Sequence, residues 1–498
     1  MLGEAAKQIS GVPHNSLSRS GFRQRDKMNT RFRFVPQICA AFLVVAVACL
    51  PIPVHAQTTQ SPAQAAQLSA ESLLASAVEQ IGPQHRDVAL AIEEFRKGAF
   101  LEARNLLKEA IKKDPTLPPD GVMMARMLFT ANQLALARQE LERTVAEAPT
   151  DPEPYLIFGE LAFQQRHFAD AELSFRKAYD LIQKYTANPY RKGTMRTRAL
   201  SGLAGVAENR EDWGNAAKFL TEIVKADKSN AGQTTRLARA LFEQDQKIGD
   251  GKEQESQAYK LLIGLWEQDK VNVRRPEITM GSMYQSKGEK KITAQLMKTA
   301  SEQDTKGLQT QLTVARWALG TGDMALAQAC TDRAQQIAPN SVEAKLIAGL
   351  TARYKRDFQT ARKTLEAAHL QSPSNLAALL QLAVVLVEGD EQAKRTAFEY
   401  SQVASRIYPD LAEPTGREAA VTSAWILYNQ GRVREAQMVL QKALAGGAVS
   451  AESSYYAAKI LHQTNADVAK QLLGTALKGD GVFPARTDAE SLLQSLGG

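Results

Sequence analysis

A spacing of 34 residues recurs along this sequence and constrains its fold more than any other feature. Ala103, Ala137 and Ala171 lie one such step apart. The same step joins larger side chains and recurs further along the chain: Phe100, Leu134 and Phe168; Leu107, Leu141 and Phe175; Ile111, Val145 and Tyr179; Ala327 and Ala361; Pro339 and Pro373. A fixed period of about 20 to 50 residues is typical of proteins that stack similar units. The sequence therefore predicts an array in which each unit packs on its neighbours.

Each unit has the pattern of two helices. Apolar residues recur at steps of three and four, as expected for two amphipathic helices. Gly159 and Ala125 are small enough to let two helix backbones approach, and Phe168 fills the gap to the next unit. Pro149 ends a second helix because proline cannot continue one. Glycines such as Gly98, Gly322 and Gly431 are expected in the turns between paired helices.

The unit at 152–185 resembles a tetratricopeptide repeat. The residues that carry the resemblance are Tyr155, Phe158, Gly159, Ala162, Phe168, Ala171, Phe175 and Ala178. The resemblance implies an all-α fold, an α-solenoid in which helix-turn-helix repeats form a right-handed superhelix. It also implies that the first helix of each repeat lines a concave groove.

The period divides the chain into segments. They are an N-terminal extension and signal peptide at 1–56, a flexible lead-in at 57–83 with a short helix from Ser69 to Gln80, regular repeats at 84–230, degenerate repeats at 231–307, regular repeats at 308–483 and a capping helix at 484–498. This predicts about eleven units and a cap. A basic loop is expected at 190–198 and a polar insertion at 244–256. The degenerate part is either a hinge between two rigid halves or ordinary drift of the repeat.

The excess of positive charge is concentrated at the N-terminus. The formal net charge is +7. Residues 1–56 contain seven Lys or Arg and two acidic residues, and the remainder contains 54 basic and 52 acidic residues. Because the excess positive charge lies in residues 1–56, it does not support nucleic-acid binding by the rest of the chain.

Residues 28–56 have the parts of an export signal. Arg31 and Arg33 precede an apolar run of 13 residues at 38–50, and Val54-His55-Ala56 forms a small-x-small cleavage site. A helix of 13 residues rises only about 20 Å, which is too short to span a membrane. We expect translation to start at Met28 and cleavage after Ala56, giving a periplasmic or secreted protein. Lipidation at Cys49 is the alternative.

The sequence offers little for catalysis or metal binding. The histidines are scattered, and no phosphate-binding loop or nucleophile elbow is present. Cys330, the one cysteine after the leader, is expected to pack in the core. We therefore predict no enzyme activity, no cofactor and no metal site, and an enzyme of unknown type is kept only as a contrasting hypothesis.

The resemblance assigns candidate binding residues to the concave positions of first helices. They are Arg126, Phe129, Arg316, Arg353, Tyr354, Trp425, Tyr428, Asn429, Tyr455, Tyr456, Lys459 and His462. Aromatic and arginine side chains often anchor interfaces, so the cluster from Trp425 to His462 is the preferred ligand-contacting patch. The alternative is that these aromatic rings pack between repeats. The Lys and Asn pattern of a carboxylate clamp is not found.

These features favour an exported, non-catalytic scaffold that binds a protein or peptide partner in the periplasm or cell envelope. The alternative is an accessory component of an envelope export or polysaccharide secretion machine, because similar exported repeat proteins serve such machines.

Overall fold

The structure is a computed structural model that describes residues 68–245, 256–479 and 481–497. These residues form 24 α-helices and one short 3-10 helix, and they contain no strand. The predicted signal peptide, the lead-in up to residue 67 and most of the polar insertion lie outside the described residues. The all-α solenoid that the sequence predicts is confirmed.

The described residues contain eleven helix pairs, which follow one another along the chain. They are α2 (Arg86–Arg96) with α3 (Phe100–Lys113), α4 (Asp120–Thr130) with α5 (Leu134–Glu147), α6 (Glu153–Gln164) with α7 (Phe168–Lys184), α8 (Pro189–Asn209) with α9 (Trp213–Ala226), α10 (Ala231–Gln244) with α11 (Gln257–Gln268), α12 (Pro276–Ser286) with α13 (Lys290–Gln303), α14 (Leu308–Thr321) with α15 (Met324–Ile337), α16 (Val342–Tyr354) with α17 (Phe358–Gln371), α18 (Leu376–Leu386) with α19 (Glu391–Ile407), α20 (Pro414–Asn429) with α21 (Val433–Ala445), and α22 (Ala451–Leu461) with α23 (Ala466–Leu477). Helix α1 (Ala70–Leu74) and a 3-10 helix (Pro83–His85) precede the pairs, and α24 (Arg486–Ser495) follows them.

First helices of successive pairs pack on one another and form an inner layer. Helix α6 contacts α8, α16 contacts α18, and α20 contacts α22. Arg353 of α16 also forms an ion pair with Glu452 of α22, although two further first helices lie between them in the chain. The row of first helices must therefore curve toward itself here, so its inner face is concave.

In eight of the helix pairs, the turn between the two helices contains a residue in the left-handed backbone conformation. Four of the turn residues are glycines, and four others are not, although L side chains disfavour this conformation. The glycines are Gly98, Gly288, Gly322 and Gly431, and the others are Asn132, Arg166, Glu211 and Arg356, with φ between 57° and 83° in all eight. The prediction that Gly98, Gly322 and Gly431 lie in turns is confirmed.

The packing around Phe175 confirms the prediction that small residues lie where helices cross. This ring is 1% exposed and lies between two glycines of neighbouring first helices. A Cβ added to Gly159 would lie 2.7 Å from the ring, and one added to Gly202 would lie 2.4 Å from it. Only glycine therefore fits at either position without a shift of the ring. Cys330 is likewise buried among apolar residues, as the sequence predicts.

One expectation about the chain between repeats needs correction, and another stays open. The predicted basic loop at 190–198 is the first part of α8, because Asn188 caps that helix and Pro189 occupies its first turn. The degenerate segment 231–307 contains α10 to α13, and these helices pack as pairs like the others. Whether this segment acts as a hinge stays a prediction.

The described part of the lead-in is anchored rather than flexible. Ser69 caps α1, which is shorter than the helix predicted from Ser69 to Gln80. Leu73, Leu74 and Ala77 are at most 1% exposed. Leu73 and Leu74 belong to the first core cluster, which consists of buried apolar residues of α1 to α5 together with Leu117 and Ile157. At the other end, α24 packs against α22 and α23 in the place predicted for a cap. Among the described residues, no helix has both the length and the apolar character needed to cross a membrane.

Candidate functional site

A buried carboxylate organises the inner face of the first repeats. Glu153 lies in the first turn of α6 and is fully buried. Arg191 of α8 donates from Nε and Nη2 to its Oε2 at 3.1 and 2.8 Å, and Arg198 lies 3.1 Å from its Oε1. Arg126 of α4 also pairs with Oε1. One carboxylate therefore joins three successive first helices.

The charges around Glu153 decide its protonation state. Burial alone would raise the pKa of this carboxyl, because a buried charge loses its hydration. The positive charges of Arg126, Arg191 and Arg198, in that order of effect, outweigh burial and lower the pKa to about 2. Asp151 balances Arg191 further through a pair at 2.8 Å. The cluster is consequently an ionised, hydrogen-bonded network at neutral pH.

The same network holds the N-terminal segment 68–82 against the inner face. Arg126 donates from Nη1 to the carbonyl oxygen of Leu73 and from Nη2 to the hydroxyl of Ser76, both at 2.6 Å. Asn188 donates from Nδ2 to the carbonyl oxygen of Ala77 at 2.8 Å. With Leu73 and Ala77 buried as well, the segment lies on the solenoid as a peptide ligand would.

Further ion pairs connect first helices along the inner layer. Glu160 of α6 binds Arg198 of α8 at 2.9 Å, and Glu208 of α8 binds Arg236 of α10 at 2.8 Å. These pairs retain exposed side-chain surface, and the side chain of Glu160 is 40% exposed. This stretch of the inner face is polar, and the side chains of these two pairs are partly exposed to solvent.

At the C-terminal end, side chains of different first helices contact one another across the inner face. Arg353 is 4% exposed and donates to Glu452 at 2.6 and 3.1 Å, to the hydroxyl of Tyr456 at 2.7 Å and to Gln381 at 2.5 Å. These contacts join α16, α18 and α22. Arg353 is thus a structural cross-link across the curve of the solenoid.

The segment after α23 returns to the same face. The amide of Val482 donates to the carbonyl oxygen of Gly320 at 2.8 Å, and the hydroxyl of Tyr354 donates to the carbonyl oxygen of Val482 at 3.0 Å. Arg356 also pairs with Asp488 of α24 at 3.0 Å. The C-terminal segment therefore covers part of the inner face of α14 and α16.

The preferred aromatic patch is largely an internal stack. Trp425 is 8% exposed and stacks on Tyr456 at 4.4 Å and on Tyr428 at 5.8 Å. Tyr455 is also buried and lies 6.1 Å from Trp425. Burial of Trp425, Tyr455 and Tyr456 corrects the expectation that they face a ligand, because their rings already fill the space between α20 and α22. They match the alternative of packing between repeats.

The other predicted residues have mixed surroundings. Arg126 binds the N-terminal segment, and Arg316 pairs with Glu343 at 3.2 Å. Phe129 is half-buried against the first core cluster, Asn429 donates to the carbonyl oxygen of Trp425, and Nδ1 of His462 lies 2.7 Å from the carbonyl oxygen of Lys459. Tyr354, Tyr428, Lys459 and His462 are half-buried. A binding role for the accessible members stays a prediction.

The sequence reasoning missed Glu153, Arg191, Asn188 and the segment 68–82. Asp151-Pro152-Glu153 and the basic stretch 190–198 were visible signals, since opposite charges in neighbouring units are candidates for pairing. Their pairing depends on the stacking of α6 on α8, which joins residues about 40 positions apart. No group of three or more His, Cys, Asp or Glu in the described ranges is arranged to hold a metal ion.

Stacked helix pairs with a concave inner face define the class of this protein as an α-solenoid. The sequence model of the tetratricopeptide repeat matches residues 94–157, which run from the end of α2 into α6. In this segment and in its eleven described helix pairs, the chain is similar to tetratricopeptide repeat proteins. No curated protein sequence matches it.

Several solved structures are similar in fold. A tetratricopeptide repeat protein from Parabacteroides merdae is 13% identical, with a TM-score of 0.39, over 61% of this chain and 99% of its own. The Cut9–Hcn1 assembly of the APC/C is 12% identical, with a TM-score of 0.35, over 83% and 96%. Yeast Tom70 is 14% identical, with a TM-score of 0.36, over 83% and 95%. Their low identities and TM-scores restrict the likeness to the fold class.

Proposed function

We propose that this chain is an exported, non-catalytic scaffold that binds a protein or peptide partner on its inner face. The observation that carries the proposal is the seating of segment 68–82. Side chains of the solenoid hold its main-chain carbonyls at Leu73 and Ala77, and the side chains of Leu73 and Leu74 are buried. An inner face that holds one peptide segment in this way has the chemistry needed to hold another.

The open, polar stretch of the inner layer is a second part of this surface. Glu160, Arg198, Glu208 and Arg236 are paired yet partly exposed. Charged groups at an interface chiefly set orientation and specificity. A partner that extends past the N-terminal repeats would meet these pairs next.

A photoreactive amino acid placed at two positions tests the binding surface. Position Glu160 lies on the inner layer, and position Leu173, which is 70% exposed on α7, serves as a control on a second helix. We expect cross-linking of the full chain in cells to capture a discrete protein from position 160 and not from position 173. Equal capture at both positions, or capture from position 173 alone, would argue against the inner face as the binding surface.

Export is supported by the sequence of residues 28–56. Mass spectrometry of the protein from its native cell tests it through the N-terminal residue. A mature chain that begins at Gln57 supports cleavage after Ala56, and one that begins at a lipidated Cys49 supports an anchored form. A chain that retains Met28 or residues before it would contradict export.

The identity of the cross-linked protein separates the general scaffold from its alternative. Capture of a component of an envelope export or polysaccharide secretion machine would favour an accessory role in that machine. Capture of unrelated envelope proteins would favour the general scaffold.

A further inference from the structure

The seated segment gives the clearest indication of what the N-terminal inner face recognises. We infer that the groove formed by α2, α4 and the N-terminal ends of α6 and α8 binds a short amphipathic helix of a partner protein, and that residues 68–82 occupy this groove as an intramolecular competitor. This inference rests on the proposed binding function and adds the chemistry of the partner and the regulation of the site.

Three polar contacts of the groove are with the peptide backbone of the segment, and two others, from Arg126 to the hydroxyl of Ser76 and from that hydroxyl to Glu153, involve a side chain. Arg96 holds the carbonyl oxygen of Leu68 at 2.5 Å, Arg126 that of Leu73 and Asn188 that of Ala77. The carbonyls in the last turn of a helix lack partners within the helix, and a cation there is favourable. Arg126 supplies such a cation to α1. Since these donors contact main-chain atoms, they would hold a helix end of a different sequence equally well.

The apolar contacts define the sequence that fits. Leu73 and Leu74 are buried side by side, and Ala77 is buried three positions later. Glu71, Ser72 and Ala75, in contrast, are exposed. The groove therefore fits two adjacent leucines, then an exposed residue, a residue with a hydroxyl group in the place of Ser76, and a small residue. A partner helix with this pattern would make the same contacts as the intramolecular segment.

The segment has the properties of an occupant that can leave. Helix α1 has five residues, and a helix of that length is not stable without its contacts. Glu79 and Gln80, which follow the segment's buried residues, are exposed. The segment contacts Glu153 through the hydroxyl of Ser76, which donates to Oε1 at 3.5 Å. The pairs of Glu153 with Arg191 and Arg198 are made within the solenoid, so these links remain when the segment departs.

Competition can be measured with a fluorescent peptide of residues 68–82. The full chain and its Leu73→Asn/Leu74→Asn variant are compared, because the variant weakens the intramolecular occupant without changing the groove. We expect the peptide to bind the variant at least tenfold more tightly than the unaltered chain. A peptide that carries the same two Asn substitutions should bind neither.

Each other outcome has a defined meaning. Equal affinity for the two chains overturns competition but leaves peptide binding in place, whereas no binding to the variant overturns the groove as a peptide site. Cross-links to the partner from position Glu160 would then still support the proposed function by another part of the face. A dimer that exchanges this segment between two copies would overturn the intramolecular role, and light scattering detects it.

Amide hydrogen exchange of the unaltered chain provides a measurement that does not depend on folding of the variant. The amides of Leu73, Ala77 and Val78 are bonded within the segment. We expect them to exchange at least tenfold faster than the interior amides of α4, because the segment opens on its own. Exchange as slow as that of α4 would overturn the inference.

Discussion

Arg353 and Glu452 lie 99 positions apart in the sequence and form a buried ion pair with Nη2 and Oε1 2.6 Å apart. Their side chains are 5% and 17% exposed. The pair joins α16 to α22 on the concave side of the solenoid. In a linear stack of repeats, contacts otherwise form between near neighbours, so this pair fixes the curvature at the C-terminal end.

Glu452→Gln should destabilise the C-terminal repeats strongly. The change leaves the buried Arg353 without its counter-ion, which costs about 3 to 5 kcal/mol. Glu343→Gln is the matched control, because it breaks the half-exposed pair with Arg316 and should cost less than about 1 kcal/mol. Urea unfolding followed by amide exchange in α22 measures the first effect, and exchange in α16 the second. Equal effects of the two substitutions would show that Arg353 is not a structural cross-link.

Stability of the N-terminal repeats should decline in acid because of Glu153. The folded-state pKa of this carboxyl is lowered to about 2, whereas the unfolded value is about 4.3. A lowered folded-state pKa gives stability that is full above the unfolded value and is lost as the pH falls toward the folded value. Glu153→Gln should therefore be much less stable than the unaltered chain at pH 7, and the difference should shrink below about pH 4. Denaturant midpoints measured from pH 7 to 3 check this, and a difference independent of pH would contradict it.

Gly159→Ala should disturb the packing of α6 on α7. The new methyl group would lie 2.7 Å from the ring of Phe175, which is confined by Gly202 on its other side. Overpacking of this kind costs about 1 to 3 kcal/mol. Gly193→Ala in the interior of α8 is the control, since nothing lies within 4 Å of its added Cβ, and it should stabilise the helix by roughly 0.5 to 1 kcal/mol. Thermal unfolding of both variants is the measurement, and a neutral Gly159→Ala would mean that the ring has room to move.

Arg166→Gly should stabilise the chain despite the loss of a side chain. Arg166 has a φ of 61°, a conformation that costs an L residue about 1 to 2 kcal/mol. The greater flexibility of glycine in the unfolded state offsets part of this, and a net gain of about 0.5 to 1 kcal/mol is expected. Arg138→Gly within α5 is the same chemical change at a helical position and should destabilise by about 1 kcal/mol. Urea midpoints compare the two, and a loss of stability in both variants would contradict the argument from φ.

Local patterns were sufficient to predict the repeats and their turns. The step of 34 residues gave about eleven units, and the described residues contain eleven helix pairs. Gly159 was predicted at a helix crossing, and it contacts Phe175 there. Such features depend on residues within one unit, where sequence distance and spatial distance agree.

The candidate site was predicted less well, because exposure on the inner face depends on curvature. Trp425 and Tyr456 occupy concave positions in the repeat pattern, yet they stack on each other and are buried. Arg126 was selected as a ligand contact, and it does hold a peptide segment, but that segment is part of the same chain. The residue pattern of one repeat does not indicate where a distant repeat lies in the folded chain.

The sequence alone therefore determined that this protein is a stack of helix pairs, since apolar spacing, small residues and turn residues act over a few helical turns. Only the tertiary structure decided which parts of the inner face are occupied. Contacts such as Arg126 with Leu73 and Arg353 with Glu452 join residues 53 and 99 positions apart. They form because stacking and curvature bring distant first helices and chain segments to one surface, where buried charges must find partners.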